Sequence, residues 1–126
     1  MIQHLIVPVD GSDASWRAAD VAVALARRGD ATVDVIEVVF DQHDVAEAEA
    51  RLSERLEQHE TSGVSVTTHV RLAAESVAQA ISDEVEQHPE VTVVIASHGR
   101  GRSAALLGSV TEELLERTFG PMLVVG

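Results

Sequence analysis

The sequence predicts a single α/β domain in which five parallel strands form one doubly wound sheet with helices on both faces. Short β-branched segments alternate with longer segments whose apolar residues recur at helical spacing. No internal repeat, low-complexity tract or linker interrupts this alternation. Alternation of strand and helix is typical of parallel sheets joined by right-handed crossovers. The 126 residues suffice for one core, so the predicted domain spans residues 1–126.

The first three elements are a strand, a helix and a second strand. His4–Val9 is a short apolar run that predicts a buried strand, and Thr32–Val39 is β-branched and predicts the next one. Between them, Asp13–Arg28 is dense in Ala, Val and Leu and predicts a helix. Ser12 is expected to cap its start, and Gly29 is expected to end it.

The remaining elements continue the alternation, with Gly63 and Pro89 expected to mark the ends of the second and third helices. In the last helix, Val110, Leu114 and Leu115 are expected to face the core. The predicted elements are a helix at Val45–His59 with an i,i+4 ion pair between Glu47 and Arg51, a half-buried strand at Val64–Val70, a helix at Ser76–His88, a buried strand at Val91–Ala96, a helix at Ser109–Thr118 and a strand at Met122–Val125.

The residue types that are missing exclude much enzyme chemistry. The chain has no Cys, no Tyr and no Lys, and all nine basic residues are Arg. This excludes thiol nucleophiles, disulfides, cysteine zinc sites, Schiff-base lysines and the lysine of a P-loop. A phosphate would therefore have to be held by backbone N–H groups, hydroxyls or Arg.

The charge balance bears on partners and surroundings. A net charge of −12 argues against a nucleic-acid-binding face, which would be basic. A strongly acidic, lysine-free surface favours a halophilic protein. At about 1 M salt the Debye length falls to ~3 Å, so the repulsion between the acidic groups is screened. An acidic protein from a GC-rich genome is the alternative.

No apolar run reaches the ~18 residues of a membrane span, and the N-terminus resembles a strand rather than a signal peptide, so we expect a cytoplasmic protein.

The segment after the fourth strand is the candidate anion-binding loop. It carries Gly99, Arg100 and Arg102, and Gly108 and Ser109 stand where the next helix begins. Glycine lets the backbone approach a ligand closely, and the first N–H groups of a helix lie unpaired at its positive end. In open parallel sheets, ligands bind beyond the carboxyl ends of the strands where the strand order reverses. If the order reverses between the first and fourth strands, Asp10 faces this loop across the crevice.

Four segments carry a resemblance to a known family. They are IVPVDGS at Ile6–Ser12, SHGRGRS at Ser97–Ser103, LLGSVTEELL at Leu106–Leu115 and PMLVV at Pro121–Val125. Over nearly its whole length the chain resembles the universal stress protein family. The resemblance implies the strand order 3-2-1-4-5, a homodimer and, as in one branch of the family, ATP bound in the crevice.

The nucleotide-binding branch of that family has a pattern from which this chain departs twice. The pattern is G-x-x-G, nine residues, then G-S or G-T. Here Ala96 stands at the first glycine, and eight residues separate Gly99 from Gly108. Alanine adds a methyl group where the backbone approaches the ligand, and the shorter loop must take a different path around the phosphates.

The resemblance also implies a set of nucleotide-binding residues. Asp10 would contact the ribose or adenine side and could meet Mg²⁺ that arrives with the nucleotide. The helix start would hold the phosphates through backbone or hydroxyl donors, and the two loop arginines would clamp them or else pair with Asp and Glu. The set consists of Val9, Asp10, Val38, Ala96, His98, Gly99, Arg100, Arg102, Gly108, Ser109, Val110 and Thr111.

Several of these residues have a structural alternative. Asp10 could be a turn residue whose carboxylate accepts from N–H groups at residues 11–13. Ser109 and Glu112 fit a capping box. His98 lacks partners at metal-ligand spacing and could simply pack near the crevice, and Trp16 could serve core or interface packing.

The sequence thus supports an adenine-nucleotide-binding regulatory or stress-response protein without efficient catalysis. No residue is predicted to be catalytic, and no metal site from the protein alone is predicted. One alternative is a dimeric interaction protein of the same fold that binds no nucleotide. Another is a slow ATPase that relies on positioning and Mg²⁺. We expect dimerisation through the apolar edge strand Met122–Val125.

Overall fold

A computed structural model describes residues 3–88, 90–98, 108–117 and 120–126. In these residues, five parallel strands form one sheet, and four α-helices connect them. A 3₁₀ turn at Gln42–Asp44 precedes the second helix. The elements are β1 (His4–Val9), α1 (Asp13–Gly29), β2 (Thr32–Val39), α2 (Val45–Leu56), β3 (Ser65–Leu72), α3 (Val77–Gln87), β4 (Val91–Ala96), α4 (Ser109–Arg117) and β5 (Met122–Val125).

The strand order is β3-β2-β1-β4-β5, which confirms the predicted doubly wound sheet. β1 lies in the middle, paired with β2 on one side and β4 on the other. The order therefore reverses at β1, between its two neighbours. At the carboxyl edge, Val9 stands beside Glu37, and Ala96 stands beside Val125.

Two hydrophobic cores cover the two faces of the sheet. Leu5 and Val7 point to the side of α1 and α2, whereas Ile6 points to the side of α3 and α4. Because both faces of the central strands are covered, β1 and β4 are apolar along nearly their whole length. Trp16 from α1 and Leu114 from α4 are both buried in these cores. Within the described residues, no helix has the length and hydropathy needed to cross a membrane.

The helix boundaries differ from prediction where local hydrogen bonds decide them. The Ser12 side chain accepts from the Ser15 N–H at 3.1 Å, which confirms the predicted cap of α1. The helix continues through Gly29, and Asp30 takes the left-handed conformation with φ of 56°. A short polar side chain tolerates that conformation, so Asp30 rather than Gly29 is the stop.

The second helix ends three residues before the predicted His59. The N–H groups of Gln58 and His59 donate to carbonyls three residues back, at 3.1 and 3.0 Å, so the chain tightens into turns after Leu56. Gly63 lies in the turn before β3 with φ of 78° and does not end the helix. That positive φ is the reason a glycine suits this position.

In α4, one of the three residues expected in the core is exposed. Leu114 is fully buried and Val110 is partly buried, but Leu115 is 49% exposed. Neighbouring residues on a helix are about 100° apart around its axis, so burial of Leu114 turns Leu115 outward. The strand β3 is also displaced from the predicted Val64–Val70, covering Ser65–Leu72.

Trp16 is a core residue, as one of the two structural alternatives proposed. Its side chain is 2% exposed. The His59 ring stacks on it with centroids 4.7 Å apart, and the Arg55 guanidinium lies 5.4 Å from the ring centroid. Trp16 therefore seals the gap between α1 and the turn that follows α2.

Candidate functional site

A cavity of about 310 Å³ opens at the carboxyl edge of the sheet, where the strand order reverses. The ends of β1, β2 and β4 form its floor, and the first turns of α3 and α4 form its walls. Nine residues of the predicted set line it: Val9, Asp10, Val38, Ala96, His98, Gly108, Ser109, Val110 and Thr111. The other three, Gly99, Arg100 and Arg102, lie outside the described residues.

The loop between β1 and α1 is held by its own side chains. The Ser12 N–H donates to Asp10 Oδ1 at 2.9 Å, and the Asp10 N–H donates to Ser15 Oγ at 3.3 Å. Gly11 between them has φ of 86°, which a residue with a side chain rarely adopts. The turn role considered for Asp10 is therefore present, and the residue lines the cavity as well.

The start of α4 is fixed to the end of β4 by two hydrogen bonds. The Gly108 N–H donates to the Ser97 carbonyl, and Thr111 Oγ1 donates to the Ala96 carbonyl, both at 2.7 Å. The Ser97 N–H in turn donates to the Val125 carbonyl of β5 at 2.7 Å. The helix N-terminus is thus held against the carboxyl end of β4, which is itself bonded to the end of β5.

The predicted capping box does not form, because α4 begins one residue earlier than that pattern requires. Ser109 is the first helical residue, and the Glu112 N–H donates to the Gly108 carbonyl at 3.0 Å. Gly108 therefore occupies the cap position. The N–H groups of Ser109, Val110 and Thr111 have no intrahelical acceptor, as in the first turn of any helix.

Of the donors expected from Thr111, only its backbone N–H is available to a ligand. The hydroxyl proton is used in the bond to the Ala96 carbonyl, and Thr111 is 3% exposed. The anion-binding end of the cavity therefore consists mainly of backbone N–H groups near the positive end of α4.

The wall of the cavity on the α3 and α4 side is apolar. Val38 from β2, Val77 from α3 and Val110 from α4 are partly buried against the second core and also line the cavity. Arg117 links the two helices, donating to Glu113 Oε2 at 2.8 Å and to Gln79 Oε1 at 2.6 Å. This wall has the chemistry to bind a flat, weakly polar group.

Glu37 is a cavity residue that the sequence did not reveal. Its side chain is 14% exposed, and Arg51 Nη2 lies 2.6 Å from Glu37 Oε2, compared with 3.8 Å from Arg51 to the predicted partner Glu47. The hydrogen bond and the charge of Glu37 raise the pKa of Arg51. A second acidic residue besides Asp34 in the β-branched strand β2 was the available signal.

His98 lines the cavity, with Nδ1 3.0 Å from Ser97 Oγ. This contact agrees with a packed loop histidine and occupies one of the two ring nitrogens. Within the described ranges, no group of three or more His, Asp or Glu residues is arranged to hold a metal ion.

The family model described as "Universal stress protein family" matches residues 1–126. A universal stress protein from Lactobacillus plantarum is 22% identical, with a TM-score of 0.76 over 99% of this chain and 98% of that chain. The universal stress protein from Archaeoglobus fulgidus in complex with dAMP is 22% identical, with a TM-score of 0.79 over all of both chains. A universal stress protein in complex with cAMP is 19% identical, with a TM-score of 0.75 over 98% and 97%. No protein with a curated description matches the chain.

At these identities the solved structures show a shared fold, whereas the family model covers the chain from end to end. The strand order agrees with the order that the motifs implied. The chain therefore belongs to the universal stress protein family.

Proposed function

We propose that this chain is a cytoplasmic regulatory or stress-response protein that binds ATP or a related adenine nucleotide without efficiently converting it. The cavity where the strand order reverses carries this proposal. It combines an apolar wall, two carboxylates and a helix N-terminus. Its volume of about 310 Å³ is within the range of small-molecule sites.

The two ends of the cavity match the two ends of a nucleotide. The side chains of Val38 and Val77 offer an apolar wall to the adenine ring. The N–H groups at the start of α4 face the end where phosphates would bind. Relatives of the same fold that hold dAMP and cAMP support an adenine nucleotide as the ligand.

Asp10 is the residue we assign to Mg²⁺ that accompanies the nucleotide. Asp10 lines the cavity, and carboxylate oxygens are ligands that Mg²⁺ accepts together with phosphate oxygens. The ion would neutralise phosphate charge close to an acidic residue. Arg100 and Arg102 remain the predicted phosphate clamps.

Binding without efficient chemistry agrees with how the polar groups of the cavity are used. Asp10 accepts from the Ser12 N–H, Glu37 is paired with Arg51, and the Thr111 hydroxyl donates to a carbonyl. A general base needs an acceptor held near the proton that it removes. The Thr111 hydroxyl and one oxygen of Glu37 are bound within the protein, and Asp10 is assigned to Mg²⁺, so we expect slow hydrolysis at most.

Calorimetric titration with ATP, ADP and AMP in molar KCl tests the proposal. Val77→Phe would fill the apolar wall, and Val85→Phe is the matched control, because Val85 lies two turns along the same helix in the same core but outside the cavity. We expect Val77→Phe to weaken binding at least about tenfold and Val85→Phe to leave it unchanged. Absence of binding to all three nucleotides at millimolar concentration would contradict the proposal.

We also propose a homodimer formed through β5. This strand is at the edge of the sheet, and Leu123 on it and Leu115 on the preceding helix are 40% and 49% exposed. An edge strand with exposed apolar residues favours pairing with a second copy. A dimer that binds no nucleotide would support the alternative of an interaction protein.

A further inference from the structure

We propose that Glu37 selects the nucleotide at this site by accepting a hydrogen bond from the ribose 2′-hydroxyl, so that nucleotides with a 2′-phosphate are excluded. This inference rests on the proposed function, since it concerns which adenine nucleotide the cavity accepts. The ligands of this site are then adenine nucleotides whose 2′-hydroxyl is free.

Glu37 and the N-terminus of α4 lie on opposite sides of the central strand β1. Glu37 is near the carboxyl end of β2, directly beside Val9 of β1, and Asp10 follows Val9. α4 begins beyond the other neighbour of β1, at the end of β4. If the phosphates lie at α4, the sugar and base lie over β1 and β2, where Glu37 lines the cavity.

The Glu37 carboxylate is oriented by an arginine from a neighbouring helix. Arg51 from α2 holds Oε2 at 2.6 Å, and the Glu37 side chain is 14% exposed. The Arg51 side chain is 55% exposed, so it is the short hydrogen bond and the burial of Glu37 that hold the carboxylate. Glu37 is thus a charged acceptor fixed in place, with Arg51 as its positioning residue.

The Glu37 carboxylate is chemically complementary to a ribose hydroxyl. A carboxylate only accepts hydrogen bonds, and ribose hydroxyls can donate them. In dinucleotide-binding sheets with the same reversal of strand order, an acidic residue beyond the first strand–helix unit binds the 2′-hydroxyl, and an arginine nearby accommodates a 2′-phosphate. Here the acidic residue and the arginine are both present, but they are bound to each other.

The charge of Glu37 therefore decides whether the site prefers a free 2′-hydroxyl or a 2′-phosphate. A 2′-phosphate carries about two negative charges at pH 7, and the site would place them next to this carboxylate. Glu37 and Arg51 also line a second cavity of about 670 Å³ on the α2 side. Without the Glu37 charge, Arg51 could turn from this position toward a 2′-phosphate.

Calorimetry with three ligands tests the selection: 5′-AMP, 2′-deoxy-AMP and adenosine 2′,5′-bisphosphate, all without divalent cations so that metal binding does not contribute. We expect wild type to prefer 5′-AMP over the bisphosphate by at least about tenfold and over the deoxynucleotide by a smaller factor. In Glu37→Gln, we expect both preferences to be lost and the bisphosphate to bind as tightly as 5′-AMP or more tightly.

Arg51→Gln is the matched control because it breaks the same ion pair but keeps the Glu37 charge. It should still reject the bisphosphate, whereas a purely structural role of the pair would make both variants behave alike. Retention of the wild-type order in Glu37→Gln, or equal loss of it in both variants, would overturn the inference while AMP binding stands. Absence of binding by wild type to all three ligands would overturn the proposed function as well.

Discussion

At the scale of single residues, Asp34 on β2 contacts three polar side chains. Its carboxylate accepts from Thr67 Oγ1 and lies 2.7 Å from His4 Nε2 and 3.4 Å from His69 Nε2. Burial raises the pKa of this carboxyl, but the Thr67 hydrogen bond and the contacts with His4 and His69 outweigh burial and hold the pKa below its ordinary value of 3.8. The ionised form is therefore the one that the fold stabilises.

The pH dependence of Asp34 follows from the direction of that shift. A carboxyl whose pKa is lower in the folded state contributes stability above its unfolded pKa and loses it as the pH falls through the folded pKa. We expect Asp34→Asn to reduce the free energy of unfolding at pH 7 by about 1–2 kcal/mol. The difference from wild type should disappear below the folded pKa, as measured by urea unfolding.

Asp83→Asn is the control for this prediction. Asp83 is exposed and accepts from Gln79 on the same helix, so its loss should change stability by less than about 0.5 kcal/mol. Equal stability of wild type and Asp34→Asn at pH 7 would contradict the account. A difference that stays constant down to the lowest pH would contradict it too.

Residue-level detail was only partly predictable from the sequence. Asp10 and Val38 line the cavity as the motifs implied. The use of the Thr111 hydroxyl by Ala96 and the pairing of Arg51 with Glu37 were missed, because both depend on partners distant in the chain. Sequence spacing favoured Glu47 for Arg51, but the strand supplies a closer and more buried carboxylate.

At the scale of elements, the strands were more predictable than the helix ends. Four strands have the predicted bounds: His4–Val9, Thr32–Val39, Val91–Ala96 and Met122–Val125. Three of these are inner strands, whose covered faces make the apolar run coincide with the strand. Helix ends depend on single hydrogen bonds and one left-handed residue, Asp30, which periodicity does not encode.

The edge strand β5 carries the prediction that belongs to this scale. Leu123→Arg would place a charge on the edge, where it opposes pairing with a second copy. Leu25→Arg is the control, because Leu25 is a 36% exposed leucine on α1. Light scattering in molar KCl should give twice the chain mass of 13.4 kDa for wild type and Leu25→Arg, and the single mass for Leu123→Arg. A monomeric wild type at micromolar concentration would contradict the dimer.

At the scale of the whole molecule, the acidic charge determines how the protein responds to salt. With a net charge of −12, self-repulsion opposes the folded state until counterions screen it. We propose that the chain is adapted to high salt. The melting temperature should then rise by at least about 4 °C as KCl increases from about 0.1 M to about 1 M, where the Debye length shortens from ~10 to ~3 Å.

The same measurement near the pI of 4.7 is the control, since the net charge is close to zero there. The effect of salt should shrink at that pH if self-repulsion is its cause. A melting temperature that does not respond to KCl at pH 7 would favour the alternative, an ordinary acidic protein from a GC-rich genome.

The measurement that tests the central claim most directly is amide NMR of the ¹⁵N-labelled protein titrated with AMP. A nucleotide seated in the cavity should shift the signals of Ser109, Val110 and Thr111 at its phosphate end and of Val38 at its adenine end. Val66 lies on the edge strand β3, and its signal should shift little. Signals unchanged at millimolar AMP, or changes confined to residues outside the cavity, would contradict the account.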